Sequence, residues 1–278
     1  MGHDNCGDGL TSRITTRAGF WKNTFMSAIV SIRGDDGVVI AADTISYSTT
    51  GEVLSLTACK VLPVLEMNCV IGNVGIGGFT TTLRDCIGAK YIDFDEMLLG
   101  IVDDFRIVHE HFVDRSYAEF AGNVNATVMV AGWSEKNQRF ETFRISSRQK
   151  EIVVAGESSW SSAFSLVETP GCWVSSAYRQ VDCERFGINW EEEGPNLVDL
   201  AQRIICACRA ASSASGSGDF EGLPYAVGGQ LQVTLLQKNH ITQWVAHRWP
   251  DQIGELVNPE AGDPMPQRLR PHLDGDEG

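Results

Sequence analysis

The chain has 278 residues, 43% of them hydrophobic and 21% charged, which is ordinary for a globular protein and ample for a sizeable core. A formal net charge of -14 and a pI near 4.8 argue against nucleic-acid binding, which needs basic patches. No stretch approaches the ~18 consecutive apolar residues of a membrane span, residues 1–10 lack the apolar run of a secretory signal, and the expected location is the cytoplasm.

Residues 1–24 are polar with little periodicity. Three readings stand side by side: a flexible tail, a propeptide removed ahead of Ser27, or an extension bypassed by translation from Met26. Residues 25–43 are the most legible part of the chain. Two short, β-branched apolar runs flank Gly34-Asp35-Asp36-Gly37, which reads as a strand, a hairpin turn and a second strand. The unbroken apolarity of residues 38–42 predicts a strand buried on both faces. The hairpin opens on a hydroxyl, Ser27, and closes on a carboxylate, Asp43.

Residues 44–51 are rich in Ser and Thr and read as a loop. Two strands follow over 60–64 and 69–74, and Gly75-Ile76-Gly77-Gly78 breaks the pattern. Thr80 is the expected cap of a short helix over 81–90. Asp93, with Glu96 three residues on, predicts the start of a longer helix. Met97, Ile101, Phe105, Val108 and Phe112 recur along it at helical spacing and form one core-facing stripe. His109 and His111 are two apart and do not share a face, so no metal role is expected for them.

A second hairpin is predicted over 126–133 and 139–145, and a short strand over 151–155. Residues 156–194 are less legible, with helix expected over 177–186. An amphipathic helix follows Pro195, with Leu197, Leu200, Ala201, Ile204, Ile205 and Cys208 on one side. Residues 212–219 are Ser/Gly-rich and read as a flexible loop. The last hairpin spans 229–237 and 241–247. Beyond Pro250, Pro, Gly and acidic residues predict a disordered or surface-crawling tail. The eight cysteines are scattered, and Cys69, Cys206 and Cys208 sit in apolar patterns, so buried free thiols are expected. No cofactor or metal site is read from the sequence.

Strand runs separated by helical blocks imply an α+β fold. At residues 27–43 the sequence resembles the first hairpin of proteasome β subunits and their bacterial relatives, which are N-terminal nucleophile (Ntn) hydrolases. The motif is Ser27, then Gly37-Val38-Val39-Ile40-Ala41-Ala42, then Asp43 sixteen positions after Ser27. The resemblance extends to about Trp249. It implies a four-layer αββα sandwich over 27–249, flanked by an extension or propeptide at 1–26 and a tail at 250–278. It places Ser27 as the nucleophile, Asp43 and Lys60 as its supporting pair, and Gly75 or Gly77 as the backbone donor to an oxyanion. It also implies a peptide or protein substrate, a homo-oligomeric ring, and an ATP-driven unfoldase or other assembly partner.

The residue types suit that chemistry. A serine hydroxyl needs a base, and an N-terminal serine carries one in its own α-amine, whose ordinary pKa is about 7.7–8.0. Lys60 would lower the hydroxyl's pKa, and Asp43 would hold Lys60 in place. Departures from the family pattern favour a second reading, a non-catalytic structural or assembly subunit. The nucleophile is Ser rather than Thr, and Met26 precedes it. Pro224 and Val227 fall where the family carries a supporting Asp and Ser, and a third supporting Ser maps near Glu157 or Ser158. A small-molecule amidase outside any ring is a third reading.

Overall fold

The computed structural model describes residues 27–48, 51–115, 125–154, 157–169, 171–176, 180–190, 196–212 and 227–269. The first hairpin forms as the sequence predicts. β1 (Ile29–Arg33) pairs antiparallel with β2 (Val38–Asp43), and every residue of β2 is buried. The tight turn closes with the Gly34 N–H on the Gly37 carbonyl at 2.9 Å. The hairpin lies inside its sheet: β12 (Cys172–Val174) covers the free side of β1, and β13 (Gln230–Gln237) covers the free side of β2. β14 (His240–Arg248) completes a five-stranded sheet of order β12-β1-β2-β13-β14.

A second five-stranded sheet has the order β11-β8-β7-β6-β5. It is built from β5 (Val61–Val64), β6 (Cys69–Gly75), β7 (Ala126–Ser134), β8 (Arg139–Ser146) and the two-residue β11 (Val167–Glu168). The predicted loop at 44–51 is partly strand: β3 (Ser46–Tyr47) pairs with β4 (Val53–Ser55). The predicted strand near 151 is β9 (Lys150–Val154), paired with β10 (Glu157–Ser161), which the sequence reading left unassigned.

Four helices accompany these strands among the described residues. α1 is Phe79–Gly88, α2 Phe94–Arg115, α3 Gln180–Arg185 and α4 Leu197–Ser212. α2 starts where the acidic capping pattern predicts. The Glu96 N–H donates to Asp93 Oδ1 at 2.8 Å, and the Glu96 carboxylate accepts the Ile92 N–H at 2.9 Å. α4 starts at Asn196, whose Oδ1 accepts the N–H groups of Val198 and Asp199 at 3.1 and 3.2 Å. The start of α1 departs from expectation. Gly78, in a left-handed conformation, is its cap, and Thr80 lies inside the helix with its hydroxyl donating to the Lys60 carbonyl.

Three large apolar cores and a small cluster of Ile45, Val53 and Val257 account for the packing among the described residues. One joins the outer faces of β1, β2 and β13 to α3 and α4, through residues such as Val30, Ala41, Val233, Phe186, Ile204 and Ile205. A second joins β6 and β7 to α1 and α2, and holds the predicted stripe from Met97 to Val108. The third takes residues from both five-stranded sheets, among them Ile29, Ile40, Val70, Val74 and Met129. Each such side chain removed from water contributes about 1.5–3 kcal/mol.

The segment after Pro250 is not a loose tail throughout. Val257, Met265, Leu269 and the side chain of Asp251 are buried, and Leu256 bridges to Glu52. Apolar residues spaced through its Pro- and Gly-rich stretch give it something to bury. No helix among the described residues is long and apolar enough to cross a membrane. Of the loop predicted over 212–219, Ser212 is the last residue of α4 and 213–219 lie outside the described residues.

Candidate active site

Strand register builds the site. In the first hairpin Ile29 faces Ala42, so one step further Ala28 faces Asp43. The Asp43 N–H donates to the Ala28 carbonyl at 3.2 Å, and the Ala28 N–H donates to Asp43 Oδ1 at 2.9 Å. The carboxylate is thereby tied to the peptide unit that joins Ser27 to Ala28. In the second sheet Val61 faces Gly72, so Lys60 faces Asn73, and the Asn73 N–H donates to the Lys60 carbonyl at 2.9 Å. The Thr80 hydroxyl donates to that same carbonyl. β6 and the first turn of α1 therefore hold the lysine's backbone.

Lys60 Nζ donates to Asp43 Oδ1 at 2.8 Å, and both side chains are buried. The pair links the end of β2 in one sheet to the start of β5 in the other. Asp43 Oδ2 accepts two further N–H groups, from Gly228 at 3.2 Å and Ile45 at 3.4 Å. An anion in a dry site needs this many donors. Burial pushes the Lys60 ammonium below the ordinary lysine range, and the Asp43 carboxylate beside it offsets part of that shift. Ser27 itself is buried.

Gly75 ends β6 with φ +121°, a conformation that L side chains rarely adopt, and a Cβ there would meet the Asn125 carbonyl oxygen at 2.0 Å. Gly77 is in open space: a Cβ there meets nothing within 4 Å. The site thus joins Asp43 to Lys60 by a direct ion pair and ties it to the Ser27–Ala28 peptide. Gly75 follows two residues after Asn73, Lys60's backbone partner.

Two groups at the site escaped sequence reasoning. Ser175, just past β12, donates its hydroxyl to the Ser27 carbonyl at 3.2 Å and accepts the Ile29 N–H at 2.7 Å. Glu157 and Ser158 lie on β10, paired with Val154 and Val153 of β9. A signal was present in the run Cys172-Trp173-Val174-Ser175, a short apolar strand ending on a hydroxyl. The second group is the Gly228 N–H. Val227, one residue before it, is buried in the apolar core against α4, and Pro224 lies outside the described residues.

No family model matches the chain, and no curated protein matches it in sequence. Among solved structures it is similar to Anbu (ancestral beta-subunit) from Yersinia bercovieri. The two are 13% identical over 78% of this chain and 86% of that one, with a TM-score of 0.49. A likeness at that identity and score says nothing of chemistry.

Proposed function

We propose that the chain is a proteasome-like Ntn hydrolase, a peptidase or amidohydrolase whose nucleophile is the hydroxyl of Ser27. The observation that carries the reading is the Asp43 Oδ1 atom, which accepts both the Lys60 ammonium and the Ala28 N–H. One carboxylate oxygen so orients a buried cation and the strand that delivers Ser27. The α+β layering supports an αββα sandwich in four layers, since one core lies between the sheets and one lies between each sheet and its helices.

In this reading the bond before Ser27 is broken, and the freed α-amine takes the hydroxyl proton. An amide nitrogen cannot do so. The hydroxyl oxygen then attacks the scissile carbonyl carbon, and the C–N bond breaks as the α-ammonium passes its proton to the leaving amine. Water, deprotonated by the same α-amine, hydrolyses the resulting ester. Lys60 stabilises the developing alkoxide as a nearby cation, Asp43 holds Lys60, and the backbone N–H at Gly75 is the candidate donor to the oxyanion. The substrate is a peptide or protein. The resemblance in the first hairpin adds a homo-oligomeric ring in the cytoplasm, served by an ATP-driven unfoldase or another assembly partner.

A specific observation favours a second reading, a non-catalytic structural or assembly subunit. Val227 fills with an apolar, buried side chain a position where the resemblance expects a supporting hydroxyl. Intact mass and N-terminal sequencing of purified protein, with Ser27→Ala assayed on a fluorogenic peptide panel, separate the two. The catalytic reading expects a chain that begins at Ser27 and hydrolysis that disappears in Ser27→Ala. Chains that keep the 26–27 bond in every preparation, or hydrolysis unaffected by the substitution, overturn it.

A further inference from the structure

We infer that Arg209 and Asp251 form a positioning pair for the candidate site, fixing the main chain on both sides of Gly228 so that its N–H stays on the Asp43 carboxylate that carries Lys60. The inference rests on the site reading above and extends it to two residues outside that site. Arg209 lies on α4 and Asp251 just past β14, and their side chains are 2% and 1% exposed. The guanidinium grips the carboxylate as a fork, with Nη1 on Oδ2 at 3.0 Å and Nη2 on Oδ1 at 2.9 Å.

Each partner then takes hold of a neighbour of Gly228. Arg209 Nη1 donates to the Val227 carbonyl at 2.7 Å, and Asp251 Oδ2 accepts the Gly229 N–H at 2.7 Å. Gly228 sits between these two anchors, with its N–H on Asp43 Oδ2 and its carbonyl accepting the Thr44 N–H at 3.2 Å. The fit leaves no room for a side chain. A Cβ at residue 228 would lie 2.4 Å from Asp251 Oδ2 and 2.9 Å from Arg209 Nη1. The guanidinium is itself fixed by the Asn258 carbonyl at 2.9 Å and by the Trp249 ring, 4.8 Å from its centre.

A buried ion pair adds little net stability over apolar residues of the same volume, and its best-attested use is to fix one arrangement among several. Here the arrangement is the placement of a single N–H. Arginine suits the task because its planar fork reaches three acceptor groups at once, which a lysine cannot.

Removing one partner alone would strand a buried charge and destabilise the fold strongly, which confounds the readout. The test therefore uses Arg209→Met with Asp251→Ala, which removes both charges and both ends of the clamp without overpacking it, and Arg209→Lys, which keeps the charge and loses the fork. The full-length protein is labelled with 13C at lysine Cε, Lys60 is assigned through Lys60→Arg, which removes its lysine signal and keeps a cation on Asp43, and its titration is followed by NMR. In either variant, once folded, the Lys60 midpoint is expected to rise by about one pH unit, a tenfold change in proton affinity. The reason is that a carboxylate relieved of the Gly228 N–H presents more of its charge to Lys60. A folded variant whose Lys60 midpoint does not move overturns the inference. In the unaltered chain, the Gly228 amide is expected to exchange with solvent hydrogen as slowly as the amides of β2, and exchange at the rate of an exposed loop overturns the inference whether or not the variants fold. None of these readouts needs hydrolysis. The peptidase reading can therefore fail on Ser27→Ala while the clamp stands, and the clamp can fail while hydrolysis persists.

Discussion

Lys60 Nζ stands 2.8 Å from Asp43 Oδ1, and the two residues come from different sheets. Their ion pair is therefore a tie across the middle of the molecule as well as the centre of the candidate site. Its energetics follow from burial. Desolvation pushes the Lys60 ammonium toward its neutral form, and the carboxylate holds the charge on.

Asp43→Asn is expected to lower the Lys60 pKa further, because desolvation remains and the opposing charge is gone. The sign of the stability effect follows by linkage. The folded pKa lies below the unfolded value of 10.5, so the folded state binds this proton less tightly and the cost is full at low pH. The cost shrinks as pH rises from the folded pKa toward 10.5. Asp43→Asn should lose about 3–5 kcal/mol near neutral pH, with the gap to the parent narrowing at higher pH. Urea denaturation between pH 6 and 10 checks this, and a gap independent of pH would count against it.

Gly75→Ala is expected to cost about 2–4 kcal/mol, since it combines a strained φ with a clash against the Asn125 carbonyl. Gly77→Ala, in open space, should stay within about 0.5 kcal/mol of the parent. If the Gly75 N–H serves the oxyanion, folded Gly75→Ala should lose up to about 10²–10³ in kcat, because relief of the Asn125 clash and the strained φ swings the retained N–H out of place. Thermal melts of both variants and peptide hydrolysis by each measure the two effects separately.

The thiols give a third expectation. Cys59, next to Lys60 in the chain, is exposed, while Cys69, Cys206 and Cys208 are buried. Burial pushes the Cys172 and Cys206 thiols up to about 12, so almost none of either is thiolate at pH 8. In a Cys6→Ser background, which removes a thiol outside the described residues, a small disulfide reagent should modify Cys59 first. The buried thiols should react only on unfolding. Peptide mapping by mass spectrometry after timed labelling reads the order, and early modification of Cys206 would contradict the packing of α4.

The first hairpin was readable because its information is local. Two β-branched runs and a Gly/Asp turn fix both strands and their register, and register alone sets Asp43 opposite Ala28. The α2 stripe was readable for the same reason, a period repeated over many residues. What stayed hidden depends on distance along the chain. Ser175 reaches Ile29 across 146 positions, from a strand of only three residues. Arg209 stands outside the apolar stripe read for α4 and its role is set by Asp251 opposite it, and Asp251 opens a stretch whose Pro, Gly and acidic content suggests a tail. Thr80 was misplaced as a cap because its hydroxyl bonds a distant carbonyl, that of Lys60, rather than the helix.

Ser175 offers the last prediction. Its hydroxyl is both acceptor for the Ile29 N–H and donor to the Ser27 carbonyl, so it ties β12 to the start of β1 at the residue proposed as nucleophile. Ser175→Ala leaves the amide of Ile29, a fully buried residue, without that acceptor, which should cost about 1–3 kcal/mol. Ser175→Thr keeps the hydroxyl and should recover most of the loss. A packing role alone would end there, with stability changed and the kinetics of folded protein intact. If the bond also aims residue 27, folded Ser175→Ala should show a lower kcat at nearly unchanged KM, because the positioning it removes matters only as the hydroxyl attacks. Chemical denaturation of both variants, paired with steady-state hydrolysis under conditions where each is fully folded, separates the two roles. An unchanged kcat would leave Ser175 as a structural tie between strands.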